Sequence, residues 1–241
     1  MKFAYQKNLI PAPLSINVIL KKMSLKEHTV KSYDKDLQSI AGTLDDMVGL
    51  VIQSIEMVAK MIKLRDESFI EAITAHDYKI NSLDHLIEKK VTAMLAMRQP
   101  MAVDLRYIIS SLKVSSNLER SGDQAKSIIK KIALIGSEKF ESDVEESLIS
   151  MIENCKKMVQ EAVTSFNDQD VDLAELVLKQ DDEIDQIYSD LFRIMEHENF
   201  NKEQVKKLTN TLFIAKSFER LADHSTNIAE IASFVVTGEI R

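Results

Sequence analysis

From Tyr33 to the end of the chain, apolar residues recur every three or four positions, which is the period of an α-helix that buries one face. Residues that break helices are scarce, with 5 Gly and 3 Pro among 241 residues. Two of the prolines, Pro11 and Pro13, precede the periodic part, so Pro100 alone interrupts it. The pattern predicts an all-α protein built from long amphipathic helices.

Six periodic segments can be separated by their capping residues. Asp66 fits as the N-cap of the second helix. Gln99-Pro100 divides the second helix from the third, because the residue before a proline avoids the α region. The other boundaries are predicted at Gly136 after the third helix, a Ser142 capping box before the fourth, Asp170 before the fifth, Asn201 before the sixth and Gly238 after it.

The second half of the chain repeats the first. Asp77-x-x-Ile80-Asn81 matches Asp181-x-x-Ile184-Asp185 at an offset of 104 residues, and a later motif matches at an offset of 100. Two copies are too few for a solenoid, which needs roughly three or more. The repeat therefore predicts two tandem three-helix bundles, residues 33–137 and 138–241, after an atypical N-terminal extension at residues 1–32.

The later motif is acidic and reads Glu-Arg-x-x-Asp in both copies. It places Glu119 with Asp123, and Glu219 with Asp223, one helical turn apart on the same face. Two like charges at this spacing repel by roughly 0.2–0.5 kcal/mol in an isolated helix. Because this unfavourable pair of like charges occurs at equivalent positions in both repeats, we expect a cation to lie between the carboxylates. A solvated acidic surface is the alternative.

The neighbouring helix of each bundle adds a second acidic layer. If the helices turn back near residue 99, equal rise places Asp77 opposite about residue 121, at the level of the first motif. The same construction places Asp181 and Asp185 within about a turn of Glu219. Clusters of carboxylate oxygens suit Mg²⁺, Mn²⁺, Ca²⁺ or iron better than a soft ion.

The two copies differ in what surrounds the acidic pair. The acidic stripe of the second copy continues to Asn227 and Glu230, whereas Lys130 stands at the place of Glu230 and Lys126 adds a further positive charge. We therefore expect the C-terminal cluster to bind metal more tightly. His224 projects away from the stripe on a helical wheel.

Several classes of function are disfavoured by the sequence. The net charge of −7 and the lack of a basic run with interleaved aromatics argue against a nucleic-acid partner. A single cysteine, Cys155, suits a reducing cytosol and leaves no thiol-rich zinc site. No histidine has a glutamate three residues before it, as ferritin-like di-iron enzymes require. A carboxylate-bridged metalloenzyme and a purely structural helical adaptor remain the alternatives to a metal-binding adaptor.

Three longer motifs resemble the PhoU family of phosphate-transport regulators. They are the corner Ala96-Met97-Arg98-Gln99-Pro100-Met101-Ala102-Val103-Asp104-Leu105-Arg106, the segment Leu118–Asp123, and the segment from Ile214 through Glu219-Arg220-Leu221-Ala222-Asp223 to Glu230. The resemblance covers about residues 33–240. It implies a pair of three-helix bundles, often dimeric, with metal clusters at the two acidic motifs.

The resemblance also implies a function and a set of ligands. Members of the family act as cytoplasmic, non-catalytic negative regulators that link the ATPase of the phosphate ABC transporter to a membrane sensor histidine kinase. They reach the membrane through these partners only. The implied ions are iron, manganese, magnesium or zinc, and a homodimer is implied. The residues that match the family's metal positions are Glu119, Asp123, Glu219 and Asp223, with Asp77, Asp181 and Asp185 on the neighbouring helices.

Overall fold

The computed structural model describes residues 31–196 and 201–239. Six α-helices account for nearly all of these residues, namely α1 (Lys31–Leu64), α2 (Ser68–Arg98), α3 (Ala102–Ile135), α4 (Ser142–Asp168), α5 (Val171–Glu196) and α6 (Lys202–Thr237). These two ranges contain no β-strand, which confirms the all-α prediction. Within them, no helix has the length and apolar character needed to cross a membrane. The predicted extension lies outside the described residues except for its last two, which belong to α1.

Most helix boundaries follow the predicted capping residues. Gln99, in the left-handed conformation with φ 47°, follows the end of α2, and Gly136 follows the end of α3 with φ 74°. The Asn201 side chain accepts hydrogen bonds from the backbone N–H groups of Glu203 and Gln204, which forms the predicted capping box. The Asp170 carboxylate accepts from the backbone of Leu173 at 3.0 Å at the start of α5.

Two of the predicted caps differ from the structure. The predicted capping box at Ser142 is wrong, because Ser142 is already the first helical residue of α4 and Glu141 precedes it without a side-chain cap. The Ser142 hydroxyl instead donates to Glu146 Oε1 at 3.4 Å. At α2 the difference is one residue: Glu67 occupies the N-cap position, while Asp66 Oδ1 accepts from the Ser68 N–H at 2.9 Å.

The helices form two three-helix bundles that lie side by side. In the first bundle α1, α2 and α3 pack on one another, and in the second α4, α5 and α6 do the same. The bundles join along two seams, the more extensive between α3 and α6 and the other between α1 and α4. The tandem-bundle prediction is confirmed. The predicted division at residues 137 and 138 falls in the loop between α3 and α4 and stays a prediction.

A buried polar contact ties the two bundles together. Tyr107 of α3 stacks on Phe166 of α4 with ring centroids 4.7 Å apart. Its hydroxyl donates to Asn167 Oδ1 at 3.1 Å, and Asn167 Nδ2 donates to Asp45 Oδ1 of α1 at 3.0 Å. One asparagine therefore connects three helices from both bundles.

Candidate metal-binding clusters

The first cluster lies between α2 and α3 and contains the carboxylates predicted for the first repeat. Asp77 of α2 is 2% exposed, and its Oδ2 accepts a hydrogen bond from Lys126 Nζ of α3. The two helices approach closely because α3 has a glycine here: a Cβ added to Gly122 would come within 2.8 Å of Ile80 Cδ1. Glu119 is half-buried beside this contact, and Asp123 is exposed.

The register between α2 and α3 differs from the predicted one by about one turn. Asp77 was predicted opposite residue 121, yet it meets Lys126, and Ile80 meets Gly122. The corner gives part of the reason: the turn from Gln99 to Met101 is centred one residue later than residue 99, which moves each facing partner by two residues, and the packing of Ile80 on Gly122 sets the rest. The shift brings Asp84 beside Glu119.

Asp84 is a cluster residue that the sequence analysis missed. It lies seven residues after Asp77 and three after Asn81, so the three share one face of α2 at a spacing that is visible in the sequence.

The carboxylates of the first cluster repel one another, and burial together with this repulsion raises the pKa values of Glu119 and Asp123. Burial raises the pKa of Glu119, and the nearby charges of Asp123, Asp84 and Asp77 raise it further. Burial also raises the pKa of Asp123, followed by the charge of Asp77, while Lys126 and Lys130 oppose the rise. The carboxylates are therefore close enough to compete for the same positive charge.

The second cluster lies between α5 and α6 in the equivalent place. Asp181 and Asp185 come from α5, and Glu219 and Asp223 come from α6, as predicted. Burial raises the pKa of Asp181 to about 6, and Asp185, Asp223 and Glu219 add to the rise in that order. The four predicted residues thus act on one another across the two helices.

A lysine also enters the second cluster, but from a different position. Lys216 Nζ donates to Glu219 Oε1 at 2.6 Å, within α6, and lies 5.4 Å from the ring centroid of Tyr188. The hydrogen bond to Glu219 raises the pKa of Lys216. In the first cluster Lys126 lies 5.7 Å from the ring centroid of Tyr78. Each cluster therefore pairs its carboxylates with an ammonium that rests on a tyrosine.

Both clusters keep buried oxygen atoms that lack a hydrogen-bond partner. In the first cluster these are Asp77 Oδ1 and Asn81 Oδ1, and in the second they are Asp181 Oδ1 and Glu219 Oε2. A buried oxygen without a partner is costly. Such atoms between facing carboxylates suit a hard cation with oxygen ligands, such as Mg²⁺, Mn²⁺ or iron, so the residues fit the metal that the sequence predicts.

The carboxylates do not converge on a single point. In the described part of the chain, the only three acidic or histidine side chains with ligand atoms within 4.8 Å of one another are Asp84, His85 and Glu88. His85 and Glu88 are exposed surface residues of α2. For the predicted ligands of both clusters, metal binding therefore stays a prediction.

Two residues predicted to extend the second cluster face another helix. Asn227 and Glu230 line a groove of about 470 Å³ between α3 and α6, together with Lys113, Asn117 and Arg120. His224 lies at this seam, where burial and the charges of Arg120 and Arg220 lower its pKa to about 4. The expectation that His224 points away from the carboxylates agrees with this position.

Comparison with known proteins decides the family. The sequence matches the PhoU domain twice, over residues 44–132 and 148–232, so each bundle carries one copy. The chain belongs to the PhoU family. The two acidic clusters therefore occupy equivalent places in two PhoU domains, one at the α2–α3 pair and one at the α5–α6 pair.

Other PhoU proteins resemble the chain along most of its length. A phosphate-specific transport system accessory protein PhoU homolog of Caulobacter vibrioides is 36% identical over 220 residues, which is 89% of this chain and 94% of that protein. A protein of the same name from Clostridium acetobutylicum is 31% identical and matches 88% of this chain and 97% of its own length.

Solved PhoU structures share the fold. The crystal structure of PhoU from Pseudomonas aeruginosa matches with a TM-score of 0.78 at 28% identity, over 86% of this chain and 100% of that chain. A phosphate transport system regulatory protein PhoU from Streptococcus pneumoniae matches with a TM-score of 0.77 at 25% identity, over 87% of this chain and 99% of that chain. The similarity to both structures therefore spans both bundles.

Proposed function

We propose that this protein is an accessory regulator of phosphate transport. The observation that carries the proposal is the match to phosphate-specific transport system accessory proteins over nearly their whole length, 94% in the Caulobacter vibrioides protein. This chain carries both PhoU domains, and the two bundles pack along two seams. In the proposed role the protein restrains phosphate uptake and the phosphate-starvation response when phosphate is abundant.

The proposed partners are the ATPase of the phosphate ABC transporter and a membrane sensor histidine kinase, with this protein as the link between them. The protein works in the cytoplasm as a homodimer and reaches the membrane through its partners. Support comes from the names of the relatives, which place them with a transport system. Co-purification with the ATPase and the kinase, and sedimentation analysis of the purified protein, test these assignments.

In the proposed role the carboxylate clusters bind metal ions. Asp181, Asp185, Glu219 and Asp223 would hold one ion, and Asp77, Glu119 and Asp123 surround the equivalent place in the first repeat. A bound ion would neutralise the facing carboxylates and offer a charged surface to a partner. Iron, manganese and magnesium match these oxygen ligands, and zinc accepts carboxylates as well.

The proposed role is non-catalytic. The Glu-x-x-His pair of di-iron bundles is absent from the sequence, and Asp77 and Glu219 are contacted by lysines. This arrangement disfavours the alternative of a carboxylate-bridged metalloenzyme. Oxygen consumption by the iron-loaded protein is the direct check, and we expect none above that of free iron.

Loss of the gene tests the regulatory role. We expect the deletion strain to express alkaline phosphatase in excess phosphate, and the wild-type gene to restore repression. A Glu219→Ala, Asp223→Ala double variant should fail to restore it, whereas a Glu71→Ala variant, altered on the exposed surface of α2, should succeed. Normal repression in the deletion strain would contradict the proposal.

A metal-free adaptor is the second candidate, because lysines already contact both clusters. Lys126 and Lys216 supply positive charge to Asp77 and Glu219 without any ion. Elemental analysis of protein purified without a histidine tag separates the two candidates. Bound metal that disappears in the Glu219→Ala, Asp223→Ala variant supports the metal-binding adaptor. Metal-free wild-type protein that still restores repression supports the second candidate.

A further inference from the structure

The two repeats place their lysines at positions that are not equivalent. Lys126 of the first repeat corresponds to Thr226 of the second, at the offset of 100 residues that relates the acidic motifs. Asp77 corresponds to Asp181 at the offset of 104 residues that relates the earlier part of the two repeats. The first repeat therefore has a lysine beside its buried aspartate where the second repeat has a threonine.

This exchange changes the state of the aspartate. Lys126 crosses from α3 to α2 and donates to Asp77 Oδ2. Thr226 turns back to its own helix and donates to the Asp223 carbonyl oxygen at 2.9 Å, so its hydroxyl does not reach across to Asp181 as Lys126 reaches Asp77. The same structural position thus holds an ammonium in the first repeat and a hydroxyl in the second.

Lys216 does not bridge the two helices of the second cluster as Lys126 bridges those of the first. It contacts Glu219 three residues away on the same helix and is 39% exposed, whereas Lys126 is 24% exposed and reaches the opposite helix. Buried oxygens stay unpaired in both clusters, so the clusters differ in the reach of their lysines and not in these atoms. Lys216 therefore lies at the rim of its cluster, and Lys126 lies between its helices.

We propose that Lys126 is a built-in cation that takes the place of a metal ion in the first cluster, so that the second cluster is the metal site of this chain. The inference rests on the proposed metal-binding function. Charge supports it: Lys126 and Lys130 both lie close enough to act on Asp123, whereas the equivalent positions of the second repeat hold the uncharged Thr226 and the acidic Glu230. An ammonium within a few ångströms repels a divalent ion and uses the oxygen that would bind it.

A reciprocal exchange tests the proposal. Mn²⁺ binding to the full-length chain is measured by electron paramagnetic resonance for the wild type, Lys126→Thr and Thr226→Lys. We expect one tight site in the wild type, two in Lys126→Thr, and a loss of affinity of about tenfold or more in Thr226→Lys, because an ammonium beside the ligands opposes the ion. Lys113→Thr, which removes a lysine of the same helix outside both clusters, should bind as the wild type does.

Further variants locate the sites. Asp77→Asn added to Lys126→Thr should remove the gained site, and Asp181→Asn in the wild type should weaken the original one by about tenfold or more. Circular dichroism confirms that each variant is folded. If Thr226→Lys is unfolded, the proposal is decided by the other variants alone: Lys126→Thr should gain a Mn²⁺ site, and adding Asp77→Asn should remove that site.

Each remaining outcome has a meaning. If Lys126→Thr gains no site while Asp181→Asn loses one, the proposal is overturned and metal binding by the second cluster stands. A wild-type chain with two equal sites, one of them lost in Asp77→Asn, also overturns it. If neither the wild type nor Lys126→Thr binds Mn²⁺, the metal assignment falls together with the proposal, and the phosphatase assay still tests the regulatory role.

Discussion

Asp181 shows how a single residue reports the state of its cluster. Its pKa is raised to about 6 from 3.8 by burial first and by Asp185, Asp223 and Glu219 next. In the metal-free chain the ionised form is therefore disfavoured by folding. The stability that the protonated group contributes is complete below pH ~4 and is lost as the pH rises through 6.

Replacing Asp181 by Asn should therefore stabilise the metal-free protein at pH 8, by about 1–2 kcal/mol, because the repelled charge is removed. The gain should shrink between pH 6 and pH 4, where aspartate itself takes up a proton. Urea unfolding in the presence of EDTA at pH 4.5 and pH 8 measures both values. The Glu71→Gln change, on the exposed surface of α2 and outside both clusters, is the control, and destabilisation by Asp181→Asn at pH 8 would contradict this account.

At the scale of helices, the sequence predicted which helices exist and where they end better than it predicted which residues of neighbouring helices face each other. The stripes and the caps at Asp170 and Asn201 identify helices because they depend on residues close in the chain. The capping box predicted at Ser142 was wrong because a serine side chain can form hydrogen bonds within a helix as well as at its start. The pairing of α2 with α3 depends on a corner geometry that no local pattern specifies, and this is why Asp84 was missed.

Gly122 determines how closely α2 packs against α3. Gly42, which has free space where a Cβ would lie, provides a comparison. A Cβ at Gly42 meets nothing within 4 Å, so Gly42→Ala should stabilise the protein by about 0.5–1 kcal/mol. At Gly122 the same gain is offset because the end of Ile80 must move, so the change should be near zero. The second repeat carries Ala222 at this position, which indicates that the pairing tolerates it. Urea unfolding compares the two variants, and an equal gain at both would contradict the close contact.

At the scale of the whole molecule, the repeat in the sequence predicted two bundles but not how they join. The seam between α3 and α6 and the contact of α1 with α4 come from side chains far apart in sequence. Tyr107 and Asn167 carry no motif, yet their hydrogen bond crosses the joint. The family match explains the arrangement of domains, whereas the details of the clusters come from packing.

Removing the Tyr107 hydroxyl tests the joint between the bundles. Tyr107→Phe keeps the ring on Phe166 but leaves the buried Asn167 Oδ1 without its donor. We expect a loss of about 1–2 kcal/mol in the free energy of unfolding. Tyr78→Phe, which alters an exposed tyrosine, should change stability by less than about 0.5 kcal/mol. Equal stability of Tyr107→Phe and wild type would mean that this hydrogen bond does not hold the bundles together.

The central claim is that the second acidic cluster, and not the first, is the metal site of this PhoU protein. The most direct test is an anomalous difference map from crystals soaked in Mn²⁺. We expect a peak between α5 and α6, surrounded by Asp181, Asp185, Glu219 and Asp223, and none beside Asp77. A peak of equal height at Asp77, or no peak at Asp181, would contradict the account.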